Sequence, residues 1–145
     1  MITSQLFEAF LACPTKCFLR SIGQSATENT FTSWKEARDE SYRREGFRKL
    51  CAELPGALDQ VSVERRKLKN ARWQVAFDQV VRAQNLEASI HVVQRIPVGE
   101  ISKSAKIIPF RFVPTNKLSQ ADRLIAAFQA HVLQKAAGVR VGLQR

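Results

Sequence analysis

Acidic charge is what this sequence has least of for its size. Lys and Arg number 23 against 13 Asp and Glu in 145 residues, a formal net charge of +10 and a pI near 10.2. Long apolar runs are also missing. No stretch approaches the roughly 20 apolar residues of a membrane helix, so no membrane partner is expected. The opening Met1-Ile2-Thr3-Ser4-Gln5-Leu6 lacks a basic segment followed by an apolar one, which argues against a secretory signal. Cysteine is limited to three. An odd number in a chain without an export signal predicts reduced thiols and a cytoplasmic location. There is no internal repeat and no low-complexity tract.

What is present fits a soluble globular protein, with 45% hydrophobic and 25% charged residues. The length suits a single domain spanning 1–145. The basic surplus attracts polyanions, of which nucleic acid is the commonest. Two plainer alternatives remain open: a basic chain that is merely soluble, or one partner of an assembly whose other half is acidic.

Ser4 to Arg20 is predicted as a helix, with Leu6, Phe7, Phe10, Leu11 and Cys13 or Cys17 at spacings of three and four. Thr3 or Ser4 can cap it, and Pro14 should kink or divide it. Residues 23–33 are polar and form a loop. Ser33, with Glu36 three residues on, is expected to cap a helix from Trp34 to Leu54 whose apolar stripe is Phe47, Leu50, Cys51 and Leu54. Pro55-Gly56 ends it.

The period then becomes that of strands. Val61 and Val63 start a short one that runs into Arg65, Arg66, Lys67 and Lys69, with Asn70 in a turn. Trp73, Val75 and Phe77 alternate with polar neighbours, and Val80-Val81 continues that strand to a turn at Gln84-Asn85. Leu86 to Ile96 is apolar enough for a central strand. Residues 97–106 form a basic loop, and Ile107 to Val113 a fourth strand in which Pro109 implies an edge or a bulge. Ser119 and Asp122 cap a last helix carrying Leu124, Ile125, Phe128, Val132 and Leu133. Gly138 should terminate it, and Val139-Arg140-Val141 begins a further strand. The expectation is α/β or α+β: two N-terminal helices, a meander of about four strands, a crossover helix and the start of another strand.

Four segments taken together resemble the RecB-like nucleases of the PD-(D/E)XK superfamily. They are Leu6 to Lys16 (LFEAFLACPTK), Glu40 to Gly46 (ESYRREG), Leu86 to Pro97 (LEASIHVVQRIP), and Ile108 to Phe112 (IPFRF) with Thr115-Asn116-Lys117-Leu118 and the helix from Asp122 to Leu133. The resemblance implies a restriction-endonuclease-like core and a longer C-terminal part after this portion, so the chain is expected to be truncated at its C-terminus. It also implies Mg²⁺-dependent hydrolysis of DNA phosphodiester bonds.

Such chemistry needs carboxylates to hold the metal and a cation to steady developing charge. Glu45, Glu87 and His91 are the candidate metal-binding and catalytic residues, with Arg111 and Lys117 as catalytic cations. Glu87 and His91, four apart on a strand, share a face. Each candidate has a plainer alternative: a solvated helix position for Glu45, a strand-end surface acid for Glu87, and a hydrogen-bonded strand histidine for His91. His131 is expected to be structural. Gln94 and Gln129 stand where the resemblance implies acids, and Pro109-Phe110-Arg111 brings no carboxylate to its strand. Amides contribute no negative charge, and Mg²⁺ prefers charged oxygen. Cleavage is therefore expected to be weak or absent.

Several RecB-like nucleases hold an iron–sulfur cluster, and Cys13 matches its first ligand. A four-iron cluster ordinarily takes four thiolates, so Cys13 could serve only if a longer chain supplied three more. Cys13 and Cys17 form a C-x₃-C pair rather than the C-x₂-C of a zinc site. The expectation for this chain is buried, small apolar cysteines on a helix face. For nucleic acid, with DNA expected rather than RNA, the candidate contacts are Lys16, Arg20, Arg43, Arg44, Arg65, Arg66, Lys67 and Lys69. Trp73 and Phe110 could stack on bases, although their alternation also suits a core. The competing readings are a non-enzymatic basic module for an acidic protein partner and a gene fragment.

Overall fold

The computed structural model describes residues 1–24, 30–53, 74–97, 105–138 and Val141. Four helices and four strands are defined among these. A short strand β1 (Ile2–Thr3) runs directly into helix α1 (Ser4–Ala12), then come α2 (Pro14–Ser21) and α3 (Thr30–Glu53). Strands β2 (Val75–Ala83), β3 (Leu86–Pro97) and β4 (Ala105–Phe110) follow, and then helix α4 (Gln120–Ala137). This is a mixed α/β arrangement. The expected strand at Val61–Val63, the turn at Asn70, the cations Arg65, Arg66, Lys67 and Lys69, and Trp73 lie outside the described residues.

β3 is the centre of the sheet. β2 pairs antiparallel along one edge, from Val75 opposite Gln94 to Ala83 opposite Leu86. The other edge is shared end to end. β1 runs parallel to its start, Ile2 opposite Leu86 and Thr3 opposite Glu87. β4 runs antiparallel to its second half, Val92 opposite Phe110 through Pro97 opposite Ala105. Beyond β4, Val141 forms an isolated parallel bridge to Ile107; the rest of the strand expected there lies outside the described residues. The β4–α4–Val141 path is a parallel crossover.

Between β1 and β4, the edge of β3 is completed by side chains. The Ser89 N–H donates to Ser4 Oγ at 3.1 Å, and Gln129 Nε2 donates to the Ser89 carbonyl at 2.7 Å. Ser4 and Gln129 are both buried. Their hydrogen bonds replace the missing ladder and avoid the cost of buried, unpaired backbone.

α4 covers one face of the sheet with an aliphatic cluster: Ala76, Val81, Ala88, Ile90, Val93 and Ile107 against Val132, Leu133, Ala136 and Ala137. α3 covers the other, where Phe47, Leu50 and Cys51 pack on Val75, Phe77, Val92, Phe110 and Phe112. α1 joins α4 through the stacked rings of Phe7 and Phe128, 4.8 Å apart.

The first helix is divided as expected, because Pro14 at the first position of α2 holds Cys13 extended at φ −168°, ψ 119°. Several other local expectations are corrected. Cys13 is exposed at that joint, not buried on a helix face. Phe10 and Leu124 are exposed at 52% and 41%, so neither contributes to a core stripe. α3 starts at Thr30, not after Ser33, and the Phe31–Trp34 ring pair at 6.0 Å supports the extra turn. Ser33 and Glu36 therefore lie inside the helix and do not cap it. β4 begins at Ala105 because Ala105 pairs with Pro97. It ends at Phe110, before Val113, as the next two residues turn towards other partners. The capping box at Ser119 and Asp122 forms as expected, and Gly138 ends α4 in the left-handed region at φ 62°.

Candidate functional site

The side-chain alternation that defines each face of the sheet changes at one level. In β2, Ala76 faces α4 between Val75 and Phe77, yet further on Val81 faces α4. In β3, Ala88 and Ile90 face α4, and then Val93 does, while Val92 faces α3. Both intervals are odd, so the alternation resets between them. At that level Asp78 has φ +49°, a left-handed conformation that Asp tolerates better than most residues. Asp78 and His91 are the one position left unpaired in the β2–β3 ladder, between Phe77–Val92 and Gln79–Ile90.

Charged residues from α1, α3, β2 and the segment after β4 meet around this break. Arg43 on α3 reaches Asp78 at 3.5 Å and Glu40 at 2.7 Å. Glu40 also holds Arg44 at 3.0 Å. Arg111, just after β4, donates to Glu8 of α1 at 2.6 Å. The Phe112 N–H donates to His91 Nδ1 at 3.2 Å, and the two rings lie 6.1 Å apart, nearly parallel. Phe112 also packs edge-on against Phe47, so the aromatic cluster under α3 holds the imidazole in place.

Burial, together with the charges of Arg111 and Arg43, lowers the His91 pKa to about 4 against the opposing pull of Glu40. The imidazole is neutral at pH 7 and accepts a backbone hydrogen bond. Burial pushes the Glu40 carboxyl up, but hydrogen bonds and charge from Arg44 and Arg43 outweigh it and hold the group below the usual carboxylate range. The Nε–H groups of Arg43 and Arg111 are buried and have no hydrogen-bond partner among the described residues.

Of the residues singled out in the sequence, this junction gathers His91, Arg111 and Arg43, with Arg44 at its rim. Glu45 lies elsewhere on α3, hydrogen-bonded to Arg48 at 2.8 Å and close to Lys49 at 3.7 Å. The Arg48 hydrogen bond is the main reason its carboxyl lies below the usual range. Glu87 pairs with Arg82 across the β2–β3 ladder, five residues and roughly 17 Å of strand from Val92. No described hydrogen bond or ion pair links Glu45 or Glu87 to His91 or Arg111. Lys117 is exposed in the connection after β4, where its carbonyl accepts from Thr115 Oγ1 at 3.0 Å. Lys16 and Arg20 are exposed on α2, and His131 is exposed on α4. Gln94 is half-buried in the sheet between Val75 and Ile108.

The donor set does not suit Mg²⁺. Among the described residues no three His, Cys, Asp or Glu side chains converge as metal ligands. Glu8, Glu40 and Asp78 are each held by a guanidinium that a divalent cation would have to displace. Cys13, Cys17 and Cys51 form no described cluster either. The Cys13 thiol is held below its usual range by backbone hydrogen bonds from Lys16 and Thr15.

Glu8, Glu40, Asp78 and Phe112 are the site residues that sequence reasoning missed. Glu8 and Glu40 fall within the first two segments of the resemblance; Arg43 and Arg44, the partners of Glu40, lie three and four residues on along the same helix, whereas Arg111, the partner of Glu8, is 103 residues away. Compared with known proteins, the chain matches no family model and no curated protein. No helix among the described residues is long and apolar enough to cross a membrane.

Proposed function

We propose that this chain is a cytoplasmic nucleic-acid-binding domain of the RecB-like nuclease kind whose own phosphodiester cleavage is weak or absent. The observation that carries the reading is the junction of α1, α3, β2, β3 and the segment just after β4. Where metal-dependent cleavage would need free carboxylates, this junction holds arginine–carboxylate pairs and a neutral His91. Two guanidiniums with unused N–H donors beside a neutral imidazole suit a phosphate better than a divalent cation. The net charge of +10 adds a general attraction for polyanions.

Retardation of a labelled DNA at a series of salt concentrations tests the binding half. Affinity should rise as salt falls, since phosphate contacts release counterions. Absence of binding even at low salt overturns it. Incubation of the same DNA with Mg²⁺ tests the other half. Robust cutting that is lost in Glu45→Ala and Glu87→Ala would overturn the inactive reading and restore those acids as metal ligands.

A further inference from the structure

α3 is a long helix with two apolar faces, and only one of them has a described partner. Phe47, Leu50 and Cys51 pack on the sheet. At 100° per residue, Phe31, Trp34, Lys35, Arg38, Tyr42 and Lys49 fall together on the opposite side. The three rings are exposed at 69%, 56% and 48% respectively. Single exposed rings are ordinary, but three on one helix face form a surface with a purpose to be identified.

The cations are interleaved with the rings. The Arg38 guanidinium lies over the Trp34 ring at 5.1 Å from its centroid, and the Phe31 ring, tilted by 31° to Trp34, sits 6.0 Å from it. Ring, ring and planar cation thus adjoin along the helix. Phe31 and Tyr42 are about 17 Å apart along the axis at 1.5 Å per residue. Asp39 and Glu45 temper the charge, Asp39 paired with Arg38 at 2.9 Å and Glu45 with Arg48 at 2.8 Å and Lys49 at 3.7 Å, exposed pairs that a phosphate can displace.

We infer that this outward face of α3 binds single-stranded nucleic acid, its rings stacking on bases and Lys35, Arg38 and Lys49 following the backbone. The inference rests on the nucleic-acid reading above and adds the surface and the strand form. Charge complementarity selects the occupant: an apolar protein partner would meet Lys35 and Arg38 between Trp34 and Tyr42, whereas a single strand presents alternating π-faces and phosphates. Single strands are favoured over duplex because paired bases are already stacked on each other and offer no open face to a side chain.

The test is the affinity of the whole chain for a thymidine homopolymer and for a duplex of equal length, by fluorescence anisotropy at low salt. Phe31→Ala, Trp34→Ala and Tyr42→Ala remove exposed rings; Tyr42→Ala should leave thermal melting unchanged, while the first two lose only the ring pair at the start of α3 and should shift it slightly. Each is expected to weaken single-strand binding roughly five- to a hundredfold, the range for loss of one base–aromatic stack, and to leave duplex binding within about twofold. Trp34→Phe should restore most of the affinity. If the wild-type chain binds the homopolymer but Trp34→Ala binds it equally well, or loses duplex binding to the same degree, the α3 surface is not the single-strand site and the broader reading stands. If neither nucleic acid binds, both readings fall.

Discussion

The face of the sheet under α4 is mainly aliphatic, with Phe128 at its border, and Ile90, Ile107, Leu133 and Val132 are fully buried in it. The face under α3 is aromatic, only partly closed, and bordered by Arg43, Asp78, Glu40, His91 and Arg111. One strand, β3, serves both, with Val93 on the first face and Val92 on the second. The difference teaches where stability and chemistry reside in this fold. Close-packed aliphatic groups cannot exchange partners without leaving cavities, whereas a half-open aromatic face can accommodate charges whose pairings can be exchanged for a ligand.

The largest test of that contrast is Leu133→Ala. Leu133 has no solvent exposure, so its truncation should cost about 2–5 kcal/mol. Phe47→Ala, on a half-buried ring, should cost less despite removing more atoms. Urea unfolding of both variants decides it, and equal losses would erase the distinction between the faces.

A second effect should belong to the α3 face alone. His91 has an ordinary value of 6.5 and a folded value of about 4. Between these the unfolded chain binds the extra proton, so stability rises with pH across the window. It is fully present above about 6.5 and is lost as pH falls towards 4, a swing of about 3 kcal/mol. His91→Asn keeps an acceptor for the Phe112 N–H and should flatten this part of the pH–stability curve.

On the α4 side, Gln129→Glu should cost about 2 kcal/mol at neutral pH, since a buried carboxylate cannot donate to the Ser89 carbonyl. The loss should shrink on acidification, when the carboxyl regains a proton to donate, and melting temperatures at two pH values would reveal it. A penalty that is absent at pH 7 would mean that an acid is tolerated there. The smallest change expected is Gly46→Ala. A Cβ at Gly46 would meet the Phe112 ring, yet that ring sits on the open face and can shift. The cost should stay near the low end of the roughly 1–3 kcal/mol typical of overpacking, and a larger loss would show the α3 face to be as rigid as the other.

Much of this was legible in the residues themselves. The strand turn at Gln84-Asn85, the central position of Leu86 to Ile96, the cap at Ser119 and the stop at Gly138 all follow from short-range signals, which depend on a few neighbouring residues. β1 was not, because Ile2 and Thr3 are too few to show a period and gain their pairing only from Leu86 and Glu87. The early start of α3 was hidden because polar Thr and Ser residues resemble a loop until the Phe31–Trp34 pair is placed.

The site divides in the same way. His91 and Arg111 stood out by residue type and by position in their segments. Glu8 and Asp78 did not, because a carboxylate takes its role from the cation beside it, and those cations come from distant parts of the chain. Gln129 invited comparison with an acid until its amide was seen bridging to Ser89.

The sequence by itself determined the basic surplus, the alternation of helix and strand periods, and the caps that begin and end α4, since each depends on composition or on neighbours a few residues apart. Only the tertiary structure decided which charges neutralise each other, that Gln129 completes the edge of β3, and that the alternation resets at Asp78 and His91. Those outcomes depend on distances between segments up to 103 residues apart, and chain-local spacing carries no information about them.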